Sequence, residues 1–200
     1  YAALRDAIEA GDVPGPRMQV SGYGIGITGG HCDTNTFPPE MHFKEPSIAD
    51  NPWEGRARVR EAIKYGADVI KICATGGVFS KGSQLGALEL TLEEMQAIVA
   101  EAHKMNRKVA AHAHGAIGIK TAIQAGVDSI EHASLIDDEG IQMAKKQGTY
   151  LVMDIYNHEF IMEQGRKGYI SQESMNKEEE IGQLQRDNFA KAFKHGVKMA

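Results

Sequence analysis

The chain has 200 residues, 42% of them hydrophobic and 24% charged, which is enough to bury one sizeable core in a globular domain. Its net charge of −5 offers neither a basic surface for nucleic acid nor a polybasic patch for a membrane. The expected partner is therefore a small molecule or a peptide, with homo-oligomer formation left open. Cys32 and Cys73 are too few for a disulfide framework and match no zinc ribbon, so the compartment stays open, and no apolar run reaches the roughly 18 residues of a membrane span. Beginning at Tyr1 rather than Met, the chain reads as the middle of something longer.

Residues 1–10 carry apolar positions at helical spacing and stop at Gly11 and the Pro14-Gly15-Pro16 turn. A strand is expected over 18–27. The glycines between Gly22 and Gly30 superficially fit a dinucleotide loop, but no helix pattern opens after them, as that fingerprint requires. Residues 31–55 form a long, Pro-rich loop of the kind that serves as a lid or binding loop. A helix over 56–65 ends at Gly66, and a strand over 68–74 follows. A second, glycine-rich loop spans 75–91. Thr91 then caps a helix running to about residue 106, with Glu93 and Glu94 in its first turn. Beyond it come a strand at 108–113, a helix at 116–124, a strand at 128–133, a helix capped by Asp137 and reaching Lys146, and a strand at 149–155. A polar loop then leads to a long helix over 172–194, and Val197-Lys198-Met199 begins one more strand.

Strand and helix thus alternate about five times, which argues for parallel strands joined by right-handed helical crossovers. An open doubly wound sheet and a TIM barrel both fit. The barrel is favoured because polar residues recur at the exit end of every strand, whereas open sheets concentrate them at one switch point. The fold class expected is α/β: a partial (β/α)8 TIM barrel comprising roughly strands three to seven with their helices.

Three successive strands each bring one reactive group to that end. Val109-Ala110-Ala111 runs into His112-Ala113-His114-Gly115, Lys71 lies between Ile70 and Ile72, and Ser129-Ile130-Glu131 leads to His132. A charged lysine in an apolar strand is costly unless it is paired. It is either matched with a carboxylate such as Glu131 or carries a carboxyl group on its amine, becoming an anion able to bridge two metal ions. Neutral imidazoles from His112 and His132 suit zinc and similar ions.

These strands, with Leu4-Arg5-Asp6-Ala7-Ile8-Glu9-Ala10-Gly11, Gly15-Pro16-Arg17, Thr28-Gly29-Gly30-His31 and Thr75-Gly76-Gly77, resemble the metal-dependent amidohydrolase superfamily. The likeness is strongest to the branch of imidazolonepropionase-like amidohydrolases and Xaa-Pro dipeptidases. It covers nearly the whole chain, and its intervals are specific: 41 residues separate Lys71 from His112, and 20 separate His112 from His132. The resemblance implies that Lys71 is the carboxylated lysine after the fourth strand, and that His112 and His132 are metal ligands of the fifth and sixth. His114, at the start of the loop, is assigned to substrate, and His31, Tyr156 and Arg17 join it as candidate groups for a substrate carboxylate, as do Asn157 and His158.

Two parts of the family pattern are missing. No His-x-His pair precedes Lys71, and the aspartate that closes the eighth strand falls beyond Ala200, so no catalytic base is assigned within these residues. The 200 residues are expected to be the central part of a single metal-dependent hydrolase barrel domain, inactive alone and exposing an open sheet edge. The activity implied is hydrolysis of an amide bond in a dipeptide or N-acyl amino acid by a water bridging two Zn2+ ions. The rivals are a non-catalytic metal-binding or structural barrel, and a phosphate-binding barrel using Gly29-Gly30 and Gly76-Gly77 as anion nests.

Overall fold

The computed structural model describes all of residues 1–200. Its centre is a four-stranded parallel sheet in the order β1 (Val69–Cys73), β2 (Lys108–Ala113), β3 (Ser129–His132), β4 (Tyr150–Val152). Sequence neighbours are spatial neighbours throughout. The register sets Cys73 opposite His112, His112 opposite Glu131 and Ala113 opposite His132, so the polar strand ends fall level with one another. On either flank the pattern continues as single parallel bridges, Ile25 to Ile72 and Leu151 to Met199.

Helices cross between the strands, and local chemistry sets their ends. Asn51 accepts from the backbone N–H groups of Trp53 and Glu54 and starts α2 (Pro52–Lys64), with Pro52 in the first turn. Thr91 and Glu94 form a reciprocal capping box on α3 (Leu92–Lys104). Three further crossover helices follow: α4 (Ala116–Ala125), α5 (Asp138–Gln147), capped by Asp137, and α7 (Gln172–Lys194), capped by Ser171. At the N-terminus, α1 covers Ala2–Glu9. Ile70, Ile72, Val109, Ala111, Ile130 and Leu151 are buried between sheet and helices with Met95, Ile98, Ile119, Ile123 and Ile141.

At the entry end, two aspartates tie neighbouring strands together: Asp68 accepts from Val20 N–H and Asp128 from Val109 N–H. The exit end is left for the polar residues. This division between a stabilising face and a functional face is that of a barrel of alternating strands and helices.

Five details differ from the sequence reading, the first being that the strand expected over 149–155 pairs only over Tyr150–Val152. The strand expected over 18–27 contracts to the bridges at Ile25 and Gly26, because Gly22 takes a left-handed φ of 71° and bends the chain. The helix expected from residue 56 begins four residues earlier, at Pro52. The polar loop after β4 contains a further helix, α6 (Asn157–Arg166), which buries Ile161. The two cysteines, too few for a framework, still form one disulfide, with Cα atoms 5.9 Å apart. Gly24 makes this possible, because a Cβ there would stand 2.6 Å from the Cys32 sulfur.

Candidate active site

Four histidines converge at the exit end of the sheet. His112 and His114 lie two residues apart and so share a face of the chain at the end of β2, where each is only 4% exposed. Their ring centroids are 4.8 Å apart. His31 comes over from the first long loop and stacks on His112 at 4.0 Å between centroids.

His132 reaches the same place by a different route. Strict alternation from Ile130 would turn its side chain toward the helices. Its φ of 71°, followed by 50° at Ala133, instead swings the Cβ round the N–Cα bond. The ring then stacks parallel to His114 at 4.8 Å and meets His112 edge-on at the same distance. Left-handed backbone at two consecutive non-glycine residues costs on the order of 1–3 kcal/mol each and is a mark of functional sites.

Three of the rings are oriented through Nδ1. Asp154, two residues past the end of β4, accepts from His132 at 2.9 Å. Ser134 Oγ lies 2.9 Å from His114 Nδ1, and Ser80 Oγ lies 3.0 Å from His31 Nδ1. A carboxylate only accepts, so Asp154 requires the proton of His132 to sit on Nδ1 and leaves Nε2 free to ligate. His112 differs: its Nε2 is fully buried and has no hydrogen-bond partner. A buried orphan of this kind costs about 1–3 kcal/mol.

Burial makes the site favour neutral imidazoles. It lowers His31 to about 4 and His114 to about 3, with neighbouring cationic groups adding to the effect, and it pushes His112 well down. Burial also lowers Lys71, although Glu131 and Asp154 oppose the shift. For Asp154, burial is the largest single influence and would raise the pKa, but the hydrogen bond and electrostatic pull of His132, its own backbone N–H and the Gln185 amide together outweigh it and hold the carboxyl ionised.

Ligand atoms of His112, His114 and His132 all lie within 4.8 Å of one another, a spacing that a single cation can span. Unprotonated imidazole is the form that binds metal, and an orphaned buried Nε2 is a donor without a task. The residues therefore fit a divalent metal.

Of the residues expected from the sequence, Lys71, His112, His114, His132 and His31 gather here. Lys71 shares the face of Cys73, which is paired with His112, so lysine and histidine project on the same side of the sheet. The expected lysine–Glu131 pair is not what holds Glu131, whose carboxylate takes a 2.6 Å hydrogen bond from Ser129. Tyr156 is exposed beside Asp154 and Asn157, at the rim of an open cleft. Arg17 is not brought to the site. It is exposed, three residues before Val20, which is bonded to Asp68 and Val69 at the entry end of β1.

Sequence reading missed Asp154, which obeys the rule used for the histidines: a polar residue where an apolar strand ends. It also missed Gln185, which no local pattern marks. A cavity of about 70 Å³ lies among the histidines, Asp154 and Glu178. A larger one, about 250 Å³, lies between Tyr23, Pro46, Arg58 and Tyr65 and includes none of these groups.

Residues 1–200 match the family described as the amidohydrolase family. The chain belongs to that family. Among solved structures, this amidohydrolase is similar to a Xaa-Pro dipeptidase with methionine bound in its active site. They share 40% identity and a TM-score of 0.91, over 99% of this chain and 50% of the other. It is also similar to the ochratoxinase of Aspergillus niger. In sequence the two are 34% identical over 97% of this chain and 43% of the relative. In structure they have a TM-score of 0.87 at 32% identity, over 100% of this chain and 48% of the other. A prolidase complexed with N-methylphosphonate-L-proline is similar as well, at 32% identity and a TM-score of 0.90, over 99% of this chain and 50% of the other. The amidohydrolase chain thus spans about half the length of these relatives.

Proposed function

We propose that the intact protein is a metal-dependent hydrolase that cleaves the amide bond of a dipeptide or N-acyl amino acid. The observation that carries this reading is the buried, unpartnered Nε2 of His112 beside the His114 and His132 imidazoles. The names of the Xaa-Pro dipeptidase, prolidase and ochratoxinase relatives support the amide-bond class.

Lys71, carrying a carboxyl group, would hold the metal with His112 and His132, and two Zn2+ are the expected complement. Burial lowers the Lys71 pKa, which favours the neutral amine needed for addition to carbon dioxide, with the displaced proton passing to solvent. Bound there, divalent ions would activate water and polarise the scissile carbonyl. His114 stands within reach of the same ions, so its assignment to substrate is retained only for the face its ring turns away from His132. His31, above His112, and Tyr156, at the cleft rim, would take the substrate carboxylate. The buried Val78 and Ile161 give the cavity an apolar lining on one side.

The test is Lys71→Met in the intact enzyme. This change keeps the apolar stem and removes the bridge. Metal content should fall from about two equivalents and activity should collapse while the fold survives, with short carboxylic acids restoring part of it. A Lys71→Met enzyme with full metal content and normal turnover would refute the reading.

A further inference from the structure

We infer that helix α7 is the brace that orients the site histidines, through Lys177, Gln185 and Asn188 as positioning residues. None of the three is hydrogen-bonded to a histidine ring. Each instead holds the group, or the chain segment, that a ring leans on.

The buried Gln185 uses one amide twice: its Nε2 donates to the backbone carbonyl of His132 at 3.2 Å and to Asp154 Oδ1 at 3.1 Å. The same Asp154 oxygen accepts from His132 Nδ1. Gln185 therefore grips the left-handed residue at its backbone and at its side-chain partner. Asn188, one turn on, donates to the carbonyl of Ser134 at 2.8 Å, and the Ser134 hydroxyl meets His114 Nδ1. Two turns before Gln185, the Lys177 ammonium donates to the carbonyls of Ser80 at 2.7 Å and Ser83 at 2.9 Å, and Ser80 Oγ meets His31 Nδ1.

Spacings of eight and three residues put these side chains along one stripe of the helix. They follow the line of the buried Ser174, Glu178 and Ile181. One rigid element thus sets three rings contributed by three separate segments. The strained backbone at His132 and Ala133 has a reason to persist, because Gln185 and Asn188 hold the carbonyls on either side of Ala133.

The metal aspect of this inference rests on the proposed metal site, whereas the ring orientation does not. The experiment uses the intact enzyme. Its variants are Gln185→Met, which keeps volume, Asn188→Ala, a milder change at a half-buried residue, and Gln183→Ala as control, since Gln183 is exposed and bonds only Asp187. The readouts are zinc affinity by chelator competition, the visible spectrum of the cobalt-substituted protein, and nitrogen NMR of labelled histidines.

Gln185→Met should weaken zinc roughly 10–100-fold, shift the cobalt bands and move the His132 Nδ1 resonance. Asn188→Ala should move the His114 resonance, with a smaller loss of affinity. Gln183→Ala should do neither. If Gln185→Met does not fold, Asn188→Ala carries the test. A folded variant with unchanged zinc affinity and unchanged ring resonances overturns the brace. If the unmodified enzyme takes up no metal, the hydrolase reading fails, while the resonances still decide whether α7 orients the rings.

Discussion

Gly77→Ala tests the crowding of the site with a single methyl group. A Cβ at Gly77 would clash with His31 Cε1 and would stand 2.6 Å from His31 Nδ1 and 2.9 Å from His112 Cε1. Ordinary contact begins near 3.4 Å, so the two rings must withdraw by something approaching an ångström. Neither withdraws freely. His31 is bonded at 3.0 Å to a buried Ser80, and His112 is enclosed by His31, His114 and His132. Overpacking of this kind costs about 1–3 kcal/mol of stability. A displacement of about 1 Å in a catalytic constellation costs on the order of 100-fold in rate. Urea unfolding and turnover of the intact enzyme would measure both. Gly11→Ala is the comparison: it has a positive φ of 81° and nothing within 4 Å, so it should lose a little stability and no activity. Normal turnover in Gly77→Ala would mean that the two imidazoles are not held where turnover needs them.

The metal-free protein should lose stability as the pH falls from 6.5 toward 4. The folded state lowers His31 from 6.5 to about 4, so in that window the unfolded chain binds a proton that the folded chain refuses. Stability then rises with pH, and His31 alone contributes about 3 kcal/mol that is lost on acidification. Equal urea midpoints at pH 7 and pH 4.5 would contradict it. In the core, Ile130→Ala empties a fully buried site at the centre of the sheet and should cost about 2–5 kcal/mol by denaturant unfolding, with metal binding largely retained. A loss below 1 kcal/mol would mean that the sheet collapses readily onto the gap.

Period and punctuation made most of the fold legible. The strand at 108–113 and the helix at 172–194 were readable to the residue because both have clear apolar patterns and clear ends. α6 was hidden because Tyr156 supplies no capping side chain and only Ile161 is buried, so neither start signal nor stripe is present. α2 was shortened because Pro52 looks like loop when it is read with the prolines before it, yet proline is favoured in a first turn. The histidines were legible as polar residues at strand exits. The contribution of α7 was not, because Gln185 lies 53 residues from His132 and its role exists only once the helix is laid across the sheet.

The left-handed turn at His132 sets backbone comfort against chemistry at one residue. Glycine would occupy that conformation without strain, so His132→Gly should relax the chain while erasing the ring. A search for hardier variants that scored only survival of the fold would drift toward that glycine and return a sturdier protein without the proposed ligand. On the proposed reading of the site, the imidazole stays at this position only under continued selection for metal binding and turnover.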